Sequence, residues 1–200
     1  CINNYLLVQS EIDEMPIELL LNIFQNVNIK KVASVDAIDR LSLNDIIDNT
    51  SSSSIEIASK LLILCAKYAL YLTGEDISQA TVGSSLWGNL GLAELNAYSL
   101  FDETEYRESA IMCFKKSIQF QSNYVESWFG LAVSTMDFNY RVSQHCFIKA
   151  MSLSPRDPTI IFAYAMLSLR CNDIDLATQL INKAQTISPA ESSPWLGLAL

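Results

Sequence analysis

Turn-forming residues and basic residues are scarce in this sequence of 200 residues. Six glycines and five prolines are too few for the frequent tight turns of an all-β fold. The 13 basic residues are outnumbered by 22 acidic ones and form no stripe, and the formal net charge is −9. A surface of that sign repels a phosphate backbone, so we expect no direct binding of nucleic acid through this segment.

Catalytic and metal-binding patterns are also missing. His145 is the only histidine, and the sequence contains neither a glycine-rich phosphate loop nor an H-E-x-x-H motif. The longest apolar stretch, Leu61–Leu72, is interrupted by Lys67 and is too short to span a bilayer. We therefore predict no enzymatic activity, no metal, no cofactor and no membrane insertion.

Cysteines occur at five widely spaced positions without a C-x-x-C pair, which predicts reduced and mostly buried thiols. They are Cys1, Cys65, Cys113, Cys146 and Cys171. The sequence begins at Cys1 without an initiator methionine, so we expect it to be a fragment of a longer protein.

A repeat of 34 residues organises the second half of the sequence. Residues of the same kind recur at this interval in the pairs Ser143 and Ala177, Phe147 and Ile181, Ala150 and Ala184, and Pro155 and Pro189. Upstream of each set lies a second pattern. In it, a bulky residue is followed three positions later by another bulky residue, and a small residue comes directly after that. Its copies are Trp87-x2-Leu90-Gly91, Trp128-x2-Leu131-Ala132, Ile161-x2-Tyr164-Ala165 and Trp195-x2-Leu198-Ala199.

This pattern indicates pairs of antiparallel helices. Bulky residues three or four apart form one face of a helix, whereas small residues at fixed positions are needed only where two helices cross closely. Proline ends the second helix of each pair. The pattern is typical of tetratricopeptide repeats, and we predict an all-α solenoid of helical hairpins in a right-handed superhelix.

The repeats divide the chain into six stretches. A distance of 23 residues from Trp87 to Ala110, against a usual 16, implies either a longer first helix or extra residues around Phe101–Tyr106. A capping pattern at 53–56 predicts a helix to about Leu72, followed by a loop over 73–86. Pro16 predicts a helix through about Val27, and further helical pieces are expected near 34–41 and 43–48. The predicted stretches are 1–52, helical and of uncertain repeat character; 53–83, a possible degenerate repeat helix and loop; 84–124, a divergent repeat with a long connection; 125–157 and 158–191, regular repeats; and 192–200, the start of another.

The inner groove of such a solenoid is lined by fixed positions of each first helix. In this sequence those positions hold mostly apolar residues, which predicts a groove for a protein partner or for another segment of this chain. Repeats that grip a terminal carboxylate need Lys, Asn and Arg there, and only Arg170 is present, so co-chaperone binding is not expected. The candidate groove residues are Leu92, Leu95, Phe129, Val133, Met136, Phe162, Met166, Leu169 and Arg170.

Several stretches of residues 84–200 resemble one particular repeat family. NYRVSQHCFIKA at 139–150, SAIMCFKKSI at 109–118 and NDIDLATQLINKAQTISP at 172–189 are similar to the scaffold subunit of the superkiller (Ski) complex. The resemblance implies a non-catalytic scaffold in the cytoplasm, with the nucleus as an additional location. It would organise a DExH RNA helicase and a WD-repeat subunit, and indirectly the exosome, for mRNA decay. The alternatives are an unrelated repeat adaptor and the repeat arm of a protein O-glycosyltransferase.

Overall fold

The computed structural model describes residues 54–73 and 80–189, and within these ranges it consists of helices joined by short turns, without a strand. The all-α prediction is confirmed. The helices are α1 (Ser54–Thr73), α2 (Ala80–Phe101), α3 (Thr104–Phe120), α4 (Val125–Thr135), α5 (Tyr140–Leu153), α6 (Pro158–Arg170) and α7 (Ile174–Ile187).

Each helix packs mainly on its neighbours in sequence. The closest packing is within the hairpins α2–α3, α4–α5 and α6–α7, and α3 and α5 also pack on the first helix of the following hairpin. Helix α1 packs on α2. Such nearest-neighbour packing is the property that defines a solenoid.

The sequence period is visible in the helix boundaries. Helices α5 and α7 begin 34 residues apart, at Tyr140 and Ile174, and also end 34 residues apart. Pro155 follows two residues after the end of α5, where its fixed φ and missing N–H prevent continuation of the helix. At the helix starts, Asn139, Asp157 and Asp173 accept hydrogen bonds from backbone N–H groups of the first turn.

Small residues lie where the helices cross. The ring of Phe114 fills the space between Gly91 of α2 and Gly130 of α4. A Cβ placed on Gly91 would lie 2.9 Å from that ring, and one placed on Gly130 would lie 2.2 Å from it. Ala132 and Ala150 are completely buried in the next hairpin, and the hydroxyl of Ser143 donates to the Ala132 carbonyl at 2.7 Å.

Buried hydroxyl groups connect the hairpin α2–α3 to α4. Ser117 of α3 donates to the backbone carbonyl of Ser84 at 2.6 Å, and its Oγ shares a second hydrogen bond of 2.6 Å with the Oγ of Ser127. All three serines are fully buried. Because a buried hydroxyl is costly without partners, this cluster favours one register between the two hairpins.

Two predictions about the first hairpin are wrong. Helix α2 extends over 22 residues, and only Asp102 and Glu103 separate it from α3. Of the two alternatives for the interval from Trp87 to Ala110, the structure has the longer first helix, and the long connection predicted within 84–124 is wrong. Asp102 makes this short turn in the left-handed region, with φ 57°. The predicted loop over 73–86 is also wrong from Ala80 onward, because Gly83 lies buried inside the helix, where a glycine costs only about 1 kcal/mol.

The helix predicted from the capping pattern is confirmed as α1. The helix predicted for 16–27, the pieces near 34–41 and 43–48, and the repeat start at 192–200 lie outside the described residues.

Candidate partner-binding groove

The nine predicted groove residues come from α2, α4 and α6. Six of them are half-buried and pack partly against the main hydrophobic core: Leu95, Phe129, Val133, Met136, Phe162 and Leu169. Met166 is also half-buried, whereas Leu92 is 53% exposed and Arg170 is exposed. Most of these nine side chains therefore pack partly against the core and also leave apolar surface exposed to solvent.

Aromatic stacking fixes the middle of this row. Phe129 meets the buried ring of Phe147 edge-on, with centroids 6.1 Å apart. Phe147 in turn stacks on Tyr164, with centroids 5.7 Å apart and an interplanar angle of 21°. Because these rings come from α4, α5 and α6, their contacts fix the position of Phe129 between the two hairpins.

An ion pair joins the ends of α4 and α6. Arg170, in the last turn of α6, pairs with Asp137, which follows the C-cap of α4. A cation is favourable at a helix C-terminus, but both side chains are about half exposed, so the pair contributes little stability. The only basic residue among the predicted groove positions thus already has a carboxylate partner.

An open cleft of about 420 Å³ lies beside this ion pair. It contains Met136 and Arg170 from the predicted set. A neighbouring cleft of about 210 Å³ shares Tyr140, Leu167 and Cys171 with the first. Tyr140 and Cys171 were missed because they lie at helix ends outside the periodic pattern, and Leu167 was missed because it is a buried residue of α6. The one available signal, for Tyr140, was the aromatic pair Phe138 and Tyr140 on either side of the Asn139 cap.

Exposed aromatic groups continue from the cleft toward the first hairpin. Phe138 is 56% exposed and Tyr140 is 51% exposed. The guanidinium of Arg107 lies 4.8 Å from the Phe138 ring centre and 5.4 Å from that of Tyr98. Arg107 of α3 therefore connects α2 to the turn between α4 and α5 through its contacts with both rings.

The remaining chemically active side chains form no site in the described residues. His145 is exposed and lies edge-on to Trp128, with centroids 6.1 Å apart, as expected for a packing residue. Cys113 and Cys146 are buried, and desolvation raises the pKa of the Cys146 thiol to about 11. The prediction of mostly buried thiols is wrong for Cys65 and Cys171, which are exposed.

Metal-binding clusters and membrane-spanning helices are absent from the same ranges. Across the part of the chain that the structure describes, no three His, Cys, Asp or Glu side chains converge where they could hold a metal ion. None of the described helices combines the length and hydropathy needed to cross a bilayer.

Solved structures share this helical architecture. The structure of YrrB, described as a TPR protein with an unusual peptide-binding site, superposes with a TM-score of 0.53 at 12% identity, over 86% of this chain and 98% of that one. TTC0263, a TPR protein of Thermus thermophilus, gives 0.54 at 16% identity, over 92% and 98% of the two chains. The fold is a tetratricopeptide-repeat solenoid.

Sequence relatives are more specific, although no family model matches the chain. Superkiller protein 3 of Saccharomyces cerevisiae is 42% identical over 196 residues, which are 98% of this chain and 14% of that protein. The resemblance to the superkiller scaffold family is confirmed. Superkiller complex protein 3 of Mus musculus is 30% identical over 129 residues, 58% of this chain and 8% of that protein. Tetratricopeptide repeat protein 37 of Xenopus laevis is 27% identical over 128 residues, with the same coverage.

The chain therefore spans a small part of the length of its superkiller relatives. Its groove, cleft and aromatic edge are features of that part alone.

Proposed function

We propose that this chain is a non-catalytic segment of a superkiller scaffold and that it binds protein partners through the groove on α2, α4 and α6. The whole protein would hold a DExH RNA helicase and a WD-repeat subunit together, and would act with the exosome in cytoplasmic mRNA decay. The observation that carries this proposal is the 42% identity to Superkiller protein 3 across 98% of the chain.

The geometry of the groove supports protein binding. Its apolar side chains pack against the core and remain partly exposed, as at Met136 and Leu169. Covering such surface gains about 25 cal/mol per Å² of apolar area. The nine groove positions include one basic residue, Arg170, which is already paired to Asp137, so they offer little attraction for RNA. The proposed ligand is therefore a protein segment with apolar side chains.

Leu92 and Ile148 form a matched pair for a test. Both are aliphatic and 53% exposed, but Leu92 lies on the first helix of a hairpin and belongs to the groove set, whereas Ile148 lies on the second helix of the next hairpin. We expect Leu92→Glu to lower partner recovery about tenfold, equivalent to about 1.4 kcal/mol, because a carboxylate is costly to bury. Ile148→Glu should leave recovery unchanged.

The measurement is affinity purification of the tagged full-length protein followed by quantitative mass spectrometry. A helicase and a WD-repeat protein in near-equal amounts with the wild type would support the scaffold role. Recovery of a different set of proteins would contradict the role in mRNA decay. An equal effect of Leu92→Glu and Ile148→Glu, with a helicase and WD-repeat protein still recovered, would contradict the groove as the contact surface.

A further inference from the structure

Helix α1 has apolar residues on two sides. One side packs into a core cluster with Trp87 and Leu90 of α2, through Leu61, Leu64 and Leu70. The opposite side carries a second row, which we call the outer stripe. It consists of Ala58, Leu62, Cys65, Ala69 and Leu72.

The outer stripe is open in the described structure. Leu62 is 50% exposed, Leu72 is 65% exposed and Cys65 is exposed. Its residues follow one another at intervals of four, three, four and three, the spacing of a helix face that packs along another helix. The stripe contains no charged residue, and a helix that is apolar on two sides is typical of a position between two packed layers.

We propose that the outer stripe is the docking surface for a segment of this same chain, residues 16–27, packed along α1 as a helix. The sequence of this segment has the same spacing, with Leu20, Ile23 and Val27 on one face and Leu19 and Phe24 beside them. Twelve helical residues span about 18 Å, and the stripe from Ala58 to Leu72 spans about 21 Å. The two surfaces therefore match in length and in chemistry.

Covalent connection favours this occupant over a second copy of the chain. Residues 28–53 join the segment to α1, and a linker of this length is long enough for the segment to reach the outer stripe. Tethering raises the effective concentration of the segment to the order of millimolar, well above that of a free partner in solution. The segment also supplies five apolar side chains, which is enough to cover Leu62, Cys65 and Leu72.

The reactivity of Cys65 with a maleimide tests the proposal in the intact protein. Alkylation is mapped by peptide mass spectrometry, with exposed Cys171 as an internal reference. Dividing each rate by the rate at the same cysteine in urea removes differences in local sequence. Desolvation raises the pKa of the folded Cys65 thiol, so rates are measured over a range of pH and compared per thiolate. We expect Cys65 to react at least tenfold more slowly than Cys171 in the wild type.

A pair of double variants separates docking from a general change in charge. Leu20→Asp with Ile23→Asp places two carboxylates on the docking face and should raise the Cys65 rate to within about threefold of that of Cys171. Asn22→Asp with Gln25→Asp adds the same charge at the same spacing on the opposite face and should leave Cys65 protected. Continued protection of Cys113 and Cys146 confirms that the solenoid is folded in each variant.

Three outcomes would overturn the proposal. In the first, Cys65 of the wild type reacts as fast as Cys171. In the second, Cys65 is protected, but Leu20→Asp with Ile23→Asp leaves the protection intact, which assigns the cover to other residues. In the third, protection of Cys65 grows with protein concentration, which assigns the stripe to a second copy of the chain.

Discussion

Two junctions between neighbouring hairpins bury an aromatic ring from the same repeat position beside different residues. At the first junction, Phe114 of α3 lies against Gly91 and Gly130. At the second, the corresponding ring is Phe147, and the positions equivalent to the glycines hold Ala132 and Ala163. Phe147 stacks on Tyr164. The first junction thus makes room for the ring with residues that lack a Cβ atom, whereas the second packs the ring against another aromatic side chain.

The largest effect is expected from Gly130→Ala. The added Cβ would lie 2.2 Å from the Phe114 ring, so the ring or the helix must move. Overpacking of a core typically costs about 1–3 kcal/mol, and the net loss of unfolding free energy should be about 2 kcal/mol even though alanine favours helix by about 1 kcal/mol. Equilibrium unfolding in urea measures this loss.

Ala163→Gly is the control at the second junction. It removes a Cβ from the equivalent position and should cost only about 1 kcal/mol, the helix propensity difference. If the close contact with Phe114 is the cause of the first effect, Phe114→Leu should be less harmful in Gly130→Ala than in the wild type. Equal stability of Gly130→Ala and the wild type would refute the proposed difference between the junctions.

A smaller effect is expected from Ser117→Ala. This change installs the alanine that the later hairpins carry at Ala150 and Ala184, but it also removes the hydrogen bonds to Ser84 and Ser127. The loss should be about 1–2 kcal/mol, since a buried carbonyl and a buried hydroxyl each lose a partner. Urea unfolding that finds Ser117→Ala as stable as the wild type, within the error of the measurement, would argue against a role for the serine cluster.

The smallest effect is expected at the exposed edge of the second junction. Arg170→Gln removes the ion pair with Asp137, and because both side chains are about half exposed the cost should be below about 1 kcal/mol. The difference from the wild type should shrink further in about 0.5 M salt, since screening weakens exposed ion pairs. A salt-independent loss above about 1 kcal/mol would instead assign Arg170 a packing role.

The regular part of the fold could be predicted because a single physical requirement recurs in it. Close crossing of helices requires small residues at Ser143 and Ala150, and a proline follows each of the two regular hairpins, so the pattern predicts the helices over 125–189. The first hairpin could not be predicted in this way. The interval of 23 residues from Trp87 to Ala110 indicates extra length but does not distinguish a longer helix from a longer turn. Gly83, a residue type common in turns, lies inside the helix.

The groove shows the same limit. The repeat positions predicted that Phe129, Met136 and Leu169 lie on one face of the first helices, and all three are partly buried. Register could not reveal the cleft beside them, because its other walls come from Tyr140 and Cys171, near the ends of neighbouring helices. Contacts between turns depend on side-chain direction, which a repeat period does not record.

The hairpins differ in length, so the two ends of one edge of the molecule are not equivalent. Aligned on their shared pattern, α2 continues to Phe101, seven residues beyond the position at which α4 ends, whereas α6 continues only two residues beyond it. Seven helical residues add about 10 Å. The turn of the first hairpin therefore stands as a step above the clefts of the next two. A partner chain bound along this edge would meet the longer hairpin at one end only, and the step would limit how far it could extend in that direction.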